Sequence, residues 1–438
     1  MLTFHSSRIS PLISAVALAI AALSTGSAMA AENLYGGGAT FPAPAYVGDS
    51  YTGVTPNARL STNAGNSAGN GANTVALGSS SVFLAYSNRS SNKVSYCQTG
   101  SGVGKATVAG RTAANQACND FRTAPAGLSA ASATPDFIGT DAPYSTTDYN
   151  AFLNGGNAGR VGILQVPTLA GAIALPQSTP TASFDLSTAQ ICQIYSGLVS
   201  DWSSVAGSGT SGPIKIVYRT DGSGTSFAFT SYLTRTCNGS NNVPSGFVFR
   251  PNQTFDAALP AGGVNGVYGS RAIGAGSNNG VVTAVRGNSA ALGYADIGEV
   301  LLQQAQYVTV NSFDPKNFGR DANGNPAPVN LPMASLLSGR VLDGATVNAV
   351  PGNGSAAVKN CVRLVNPNTS ITNAYPIAAI TYLAGFTSGN GGAAHVQALK
   401  DLYNTFYNTS ARPALPQGFA YLGGINAAAQ NTVNTCVQ

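Results

Sequence analysis

Between Ile214 and Leu233 the chain dictates a strand, a glycine turn and a helix in immediate succession, and this unit constrains the fold more than any other stretch. Ile214 to Tyr218 is apolar and β-branched, and Ser226-Phe227-Ala228-Phe229-Thr230-Ser231-Tyr232-Leu233 continues as a helix. Arg219-Thr220-Asp221-Gly222-Ser223-Gly224-Thr225 must turn between them. A helix begun this way leaves its first N–H groups without intrahelical acceptors, at the positive end of its dipole. The glycines let an anion approach those groups, Arg219 adds a forked cation, and Asp221 is placed to hold the fork. Taken alone, the stretch also reads as a loop with a surface Arg–Asp pair, which stabilises little.

The alternation continues along the chain. Val161 to Pro167 and Gly171 to Leu175 read as strands. Thr188 to Tyr195 has helical spacing behind a Ser187 or Thr188 cap, Val281 to Val285 reads as helical, and Ala291 to Ala295 as a strand. Strands alternating with helices argue for α/β layers, and 438 residues suffice for two domains. Ser61 to Ser91, with an apolar island at Val82 to Tyr86, and Ala106 to Ala133 are diluted by Gly, Ser, Asn and Ala and read as surface insertions.

Residues 1–30 read as a signal peptide. Arg8 supplies the positive region, Leu12 to Leu23 the short apolar core and Ala28-Met29-Ala30 the cleavage signature. No later run is apolar for the roughly 18 residues a membrane helix needs, so a soluble exported chain is expected. Removing Arg8 lowers the formal charge of +5 by one, a mild excess that suits small anions and not nucleic acid, which wants a basic stripe.

Export makes disulfides the default use of Cys97, Cys118, Cys192, Cys237, Cys361 and Cys436. Pairing in chain order, Cys97 with Cys118, Cys192 with Cys237 and Cys361 with Cys436, closes one loop or ties one terminus each time. The competing use, zinc, lacks a C-x-x-C spacing and finds His395 alone after residue 30, so no metal or other cofactor is expected.

Three further segments offer anion-binding groups. In Gly36 to Tyr46 the glycines allow close backbone approach, Pro42 or Pro44 suits a first helical turn, and Thr40 and Phe41 present N–H groups and a hydroxyl there. Thr99-Gly100-Ser101-Gly102-Val103-Gly104-Lys105 fails the nucleotide-loop pattern, because Thr99 stands where the first glycine belongs and Ala106 where the hydroxyl belongs. What remains is a glycine turn carrying Ser101 into a helix. Phe137 to Ser145 is a strand end that delivers Asp141 into a turn, which reads equally as an Asx-turn. An ionised Asp only accepts hydrogen bonds, so it receives one from a protonated phosphate and repels sulfate.

With these residues in place, the chain resembles the periplasmic phosphate-binding proteins of ABC transporters, with features of the DING-type secreted phosphate binders. The resemblance rests on Gly37 to Pro44, Gly100-Ser101-Gly102, Thr140 to Pro143 and Arg219 to Phe227, in the family's order, and extends to Gln165 to Thr168, Leu292 to Tyr294 and Tyr375 to Ile377. It implies an α/β, two-lobed (type II) periplasmic binding protein with two crossovers and a ligand cleft between the lobes. One lobe would be 31–165 plus 376–438, the other 166–375. By the same likeness, phosphate is held by Thr40, Phe41, Ser101, Asp141, Arg219, Ser223, Gly224 and Thr225, with Asp221 steadying Arg219.

The resemblance further implies a monomeric, non-enzymatic binder of inorganic phosphate in the periplasm or secreted beyond it, with an ABC permease as partner. The alternative is a DING-type phosphatase or surface protein. Two departures bear on it: the Ser61 to Ser91 insertion is longer than in transporter subunits, and the cysteine content leans toward the DING branch.

Overall fold

The computed structural model describes residues 31–48, 59–64, 74–110, 135–155, 159–369, 371, 375–410 and 412–438. The expected signal peptide and Cys118 lie outside them.

The main sheet is built on Val161–Pro176, a 16-residue strand buried along all but its first residue. The sequence predicts two strands here, interrupted around Pro167; the backbone instead runs through, and the ladder to Ala378–Ser388 shifts register between Thr381 and Tyr382, where Tyr382 faces Pro167. Such an irregularity accommodates a proline that cannot donate to the ladder. Ala378–Ser388 pairs on its other side with Phe137–Thr140, which lies beside Asn33–Gly38 and then Lys93–Gln98.

The last three strands share a direction. Gly38 stands opposite Gln98 and Gly139, so the turns after all three leave the sheet at one edge. A separate three-stranded sheet places Lys215–Arg219 between Ala291–Leu292 and Ala272–Ala275, again all parallel, with Arg219 opposite Ala275. Carboxyl ends of parallel strands are where α/β sheets present their ligand groups.

Helices follow local signals closely. Thr188–Tyr195 carries a Ser187–Gln190 capping box, and Ser223 caps Gly224–Cys237 by accepting from Ser226 N–H at 3.0 Å. Val281 to Val285 is the buried face of a longer helix, Ser277–Gly287. The expected strand over Ala291 to Ala295 is two short ones, Ala291–Leu292 and Ala295–Asp296.

The island at Val82 to Tyr86 is not a surface insertion. It opens the helix Val82–Ser90, whose Phe83 is fully buried with ring centroids 5.1 Å from Tyr46 and 5.5 Å from Phe137. Burying such a ring is worth roughly 1.5–3 kcal/mol, which overrides the dilute composition around it.

Cys192–Cys237 joins two helices and Cys361–Cys436 ties the C-terminal helix Asn426–Cys436 to the loop before Arg363–Val365, as chain-order pairing requires. Among the described residues no helix is long and apolar enough to cross a membrane.

Candidate functional site

Glycine contacts bring together the four segments expected to meet an anion. Gly38 holds φ at 113°, and a Cβ there would stand 2.4 Å from the Gly139 carbonyl, so only glycine fits. Ala39 N–H donates to Gly139 at 2.9 Å and Gly100 N–H to Gly38 at 2.7 Å, which joins the first three turns. The fourth docks by Gly102 N–H donating to the Gly222 carbonyl at 3.1 Å. A Cβ on Gly224 would lie 2.5 Å from Asp141 Oδ2 and 2.6 Å from Ser101 Oγ.

Thr40, Phe41, Ser101, Asp141, Arg219, Ser223, Gly224 and Thr225 are consequently all buried. Phe41 also packs edge-on against Phe419 at 5.5 Å, anchoring its turn. Ser101 begins the helix Ser101–Val108; its hydroxyl accepts from Asp141 N–H at 3.2 Å and lies 3.4 Å from Asp141 Oδ2. Among the described residues Asp141 Oδ1 and Thr225 Oγ1 are buried with no partner. Buried polar groups are almost always paired, so such atoms converging in one place mark where a polar ligand is received.

Arg219 can be read donor by donor. Its Nε donates to Asp221 Oδ1 at 2.6 Å, one Nη2 hydrogen goes to Asp221 Oδ2, and one Nη1 hydrogen goes to Asn278 Oδ1 at 2.9 Å. A guanidinium has five N–H donors, so among the described residues two remain without a partner, one on each terminal nitrogen. Asp221 is itself held by Ser277 N–H at 3.2 Å, and Arg219 N–H donates to the Tyr294 hydroxyl at 3.1 Å.

The electrostatics separate the two carboxylates. Burial pushes Asp141 up to about 7, against the Thr381 hydroxyl, the Arg219 charge and Ser101. The Thr381 hydroxyl approaches it without closing a hydrogen bond of ordinary length. Burial also pushes Asp221 upward, but the charge and hydrogen bonds of Arg219 outweigh it and leave this carboxyl below its ordinary value. Asp296, buried and raised by desolvation and by the neighbouring Glu299, stands close enough to sense both Arg219 and Asp141.

Sequence reasoning missed Asn278, Ser277 and Thr381. Asn278 reaches the site because Ala272–Ala275 lies beside Lys215–Arg219, a pairing with no local signal. Thr381 sits at the register shift of the long ladder. A cavity of about 500 Å³ adjoins the site between Phe227, Tyr232, Val365 and Tyr382, with Asp141 on its wall.

His395 is elsewhere. Its ring nitrogens lie 3.0 Å from Glu32 Oε2 and 3.0 Å from Asp136 Oδ1. Asp136 and Asp141 flank the strand Phe137–Thr140, about 16 Å apart at strand rise.

An α/β chain whose parallel strand ends close several glycine turns over one buried polar cradle has the fold of a two-lobed periplasmic-type binding protein. Residues 56–401 match the family model described as the PBP superfamily domain, and the chain belongs to that superfamily. It is 31% identical over 202 residues to alkaline phosphatase L of Pseudomonas aeruginosa, a match covering 46% of this chain. The chain spans about half, 48%, of that relative's length. The fold is shared with a human phosphate binding apolipoprotein, at a TM-score of 0.58 and 23% identity over 91% of this chain and 93% of that one. It is shared too with a periplasmic phosphate-binding protein of the DING type solved with phosphate bound, at a TM-score of 0.56 and 23% identity over 92% and 93%.

Proposed function

We propose that the protein is a high-affinity binder of inorganic phosphate outside the cytoplasm, which captures the ion for uptake through an ABC permease. The carrying observation is the chemistry of the cradle: many donors and one buried carboxylate acceptor meet at a single place. The two free N–H groups of Arg219, the Thr225 hydroxyl and the opening N–H groups of the helix Gly224–Cys237 supply the donors. Asp141 Oδ1 is the acceptor, and phosphate near neutral pH carries the proton it needs. In this reading 31–165 plus 376–438 and 166–375 are the lobes, and hinge motion between them admits the ion.

The name of the Pseudomonas relative raises a second reading, phosphoester hydrolysis. The cradle offers it little. Ser223 Oγ is occupied in accepting from Ser226 N–H, and His395 is bound at the far end of the Phe137–Thr140 strand.

Calorimetric titration of phosphate-stripped protein decides the matter. Stoichiometric phosphate binding with weak sulfate binding is expected, and absence of any phosphate heat would end the proposal. Phosphatase activity that disappears in both Ser223→Ala and Arg219→Ala would favour the second reading.

A further inference from the structure

Asn278 is almost fully buried, and its two amide ends have unequal roles. Arg219 has no acceptor, so the atom facing Nη1 at 2.9 Å must be the carbonyl oxygen. Nδ2 therefore occupies the other branch of the amide, where it is buried without a partner among the described residues. An unpaired buried N–H₂ is costly, and here it lies beside the fork of Arg219 whose remaining hydrogens are free.

The backbone is shaped to place it there. Ser277 holds φ at 60°, a left-handed value uncommon for a residue other than glycine, and its N–H is taken by Asp221 Oδ1. The chain then enters the 11-residue helix Ser277–Gly287, so Asn278 sits in its first turn, at the positive end of the dipole.

We propose that Asn278 is an anion ligand in its own right: while Oδ1 steadies Arg219, Nδ2 donates directly to an oxygen of the bound phosphate. This rests on the phosphate-binding reading above and adds a ligand from the helix that follows the strand Ala272–Ala275 beside Lys215–Arg219. Asn278 thereby links the guanidinium and the ion, so that one side chain both positions the cation and binds the anion.

A double-mutant cycle separates direct binding from action through Arg219. Inorganic phosphate affinity is measured by calorimetry for the native chain, Asn278→Ala, Arg219→Met and the double variant, with thermal melts confirming that each is folded. Loss of one hydrogen bond to a charged group predicts a roughly tenfold weakening from Asn278→Ala in the native background, persisting at roughly tenfold in Arg219→Met. Disappearance of that loss in Arg219→Met would reduce Asn278 to a positioning residue and overturn the inference.

Should Arg219→Met bind too weakly to measure, the side-chain amide resonance of Asn278 in the native chain decides. A downfield move of one Nδ2 proton on adding phosphate supports the proposal, and an unmoved resonance refutes it. Native protein that binds no phosphate at all would instead overturn the function itself, a result distinguishable from a flat Asn278 response.

Discussion

The backbone of Gly224 presses against Asp141, leaving 2.5 Å between the carboxylate Oδ2 and the place a Cβ would occupy. The first residue of the helix Gly224–Cys237 thus seats on the carboxylate delivered by a distant strand, and this joint holds the proposed phosphate ligands in register.

Gly224→Ala puts a methyl group into Asp141 and into Ser101 Oγ, at 2.6 Å, so the joint must open. An opening of even 1 Å is costly in a preorganised site, and phosphate affinity is expected to fall at least 100-fold. The overlap also costs about 1–3 kcal/mol of stability, so the thermal midpoint should fall with the protein still folded; a variant with native affinity would show that the joint is not part of the site.

On the proposed function, Asp141 is expected to couple selectivity to pH. Burial first, against Thr381, Arg219 and Ser101, holds its pKa at about 7, so above pH 7 it is ionised and an incoming ion must bring the proton. Phosphate does and sulfate does not. The phosphate-to-sulfate affinity ratio should therefore rise about tenfold per pH unit above pH 7 and level off below it. Asp141→Asn, which donates at every pH, should flatten that dependence and weaken phosphate only modestly; competition titrations between pH 5 and pH 9 read both.

The same carboxyl affects the stability of the ligand-free protein. Its folded pKa exceeds the unfolded value of 3.8, so the folded state holds the proton more tightly. The stabilisation is present in full below pH 4, is lost as pH rises toward 7 and changes no further above it. Urea melts of the native chain against Asp141→Asn should show this decline in the native chain alone; parallel curves would remove Asp141 as its source.

Arg219→Lys keeps the charge and loses the fork. A lysine cannot satisfy both Asp221 oxygens and Asn278 while donating twice to an anion. Phosphate and sulfate should both weaken about 100-fold with their ratio unchanged, opposite in kind to Asp141→Asn; a changed ratio in calorimetry would contradict the assigned roles.

His395 tests structure apart from binding. Burial lowers its pKa, but the hydrogen bonds and charges of Asp136 and Glu32 prevail and raise it above 6.5. Its stabilisation is thus complete below pH 6.5 and fades as pH climbs through the raised value. His395→Ala leaves a buried carboxylate short of a partner and should cost about 3 kcal/mol at pH 6, less at pH 9. Phosphate affinity should hold, since the site is about 16 Å away by strand rise; a large loss of binding would place His395 in the site's support.

The local parts of the site were legible in the chain. Ser101 opens a helix and Asp141 follows a strand end because each outcome depends on neighbours within a few residues, where glycine and hydroxyl preferences act directly, whereas the helix expected from Ser226 begins two residues earlier, capped by Ser223. Composition misled at Val82 to Ser90, since Phe83 is buried by Tyr46, Tyr96, Phe137 and Phe406, all remote in sequence.

By itself, the order of residues determined the α/β alternation, the cap before Thr188–Tyr195 and the kinds of group able to meet an anion, while the structure selected the pairings Cys192–Cys237 and Cys361–Cys436 that chain order favoured. Tertiary structure alone decided that Val161–Pro176 runs as one strand, that Asp141 is buried enough to reach a pKa of about 7, and that Asn278 shares Arg219 with Asp221. Dihedral preference and capping act over a few residues, whereas burial, desolvation and strand adjacency belong to surfaces that exist only once distant segments have come together.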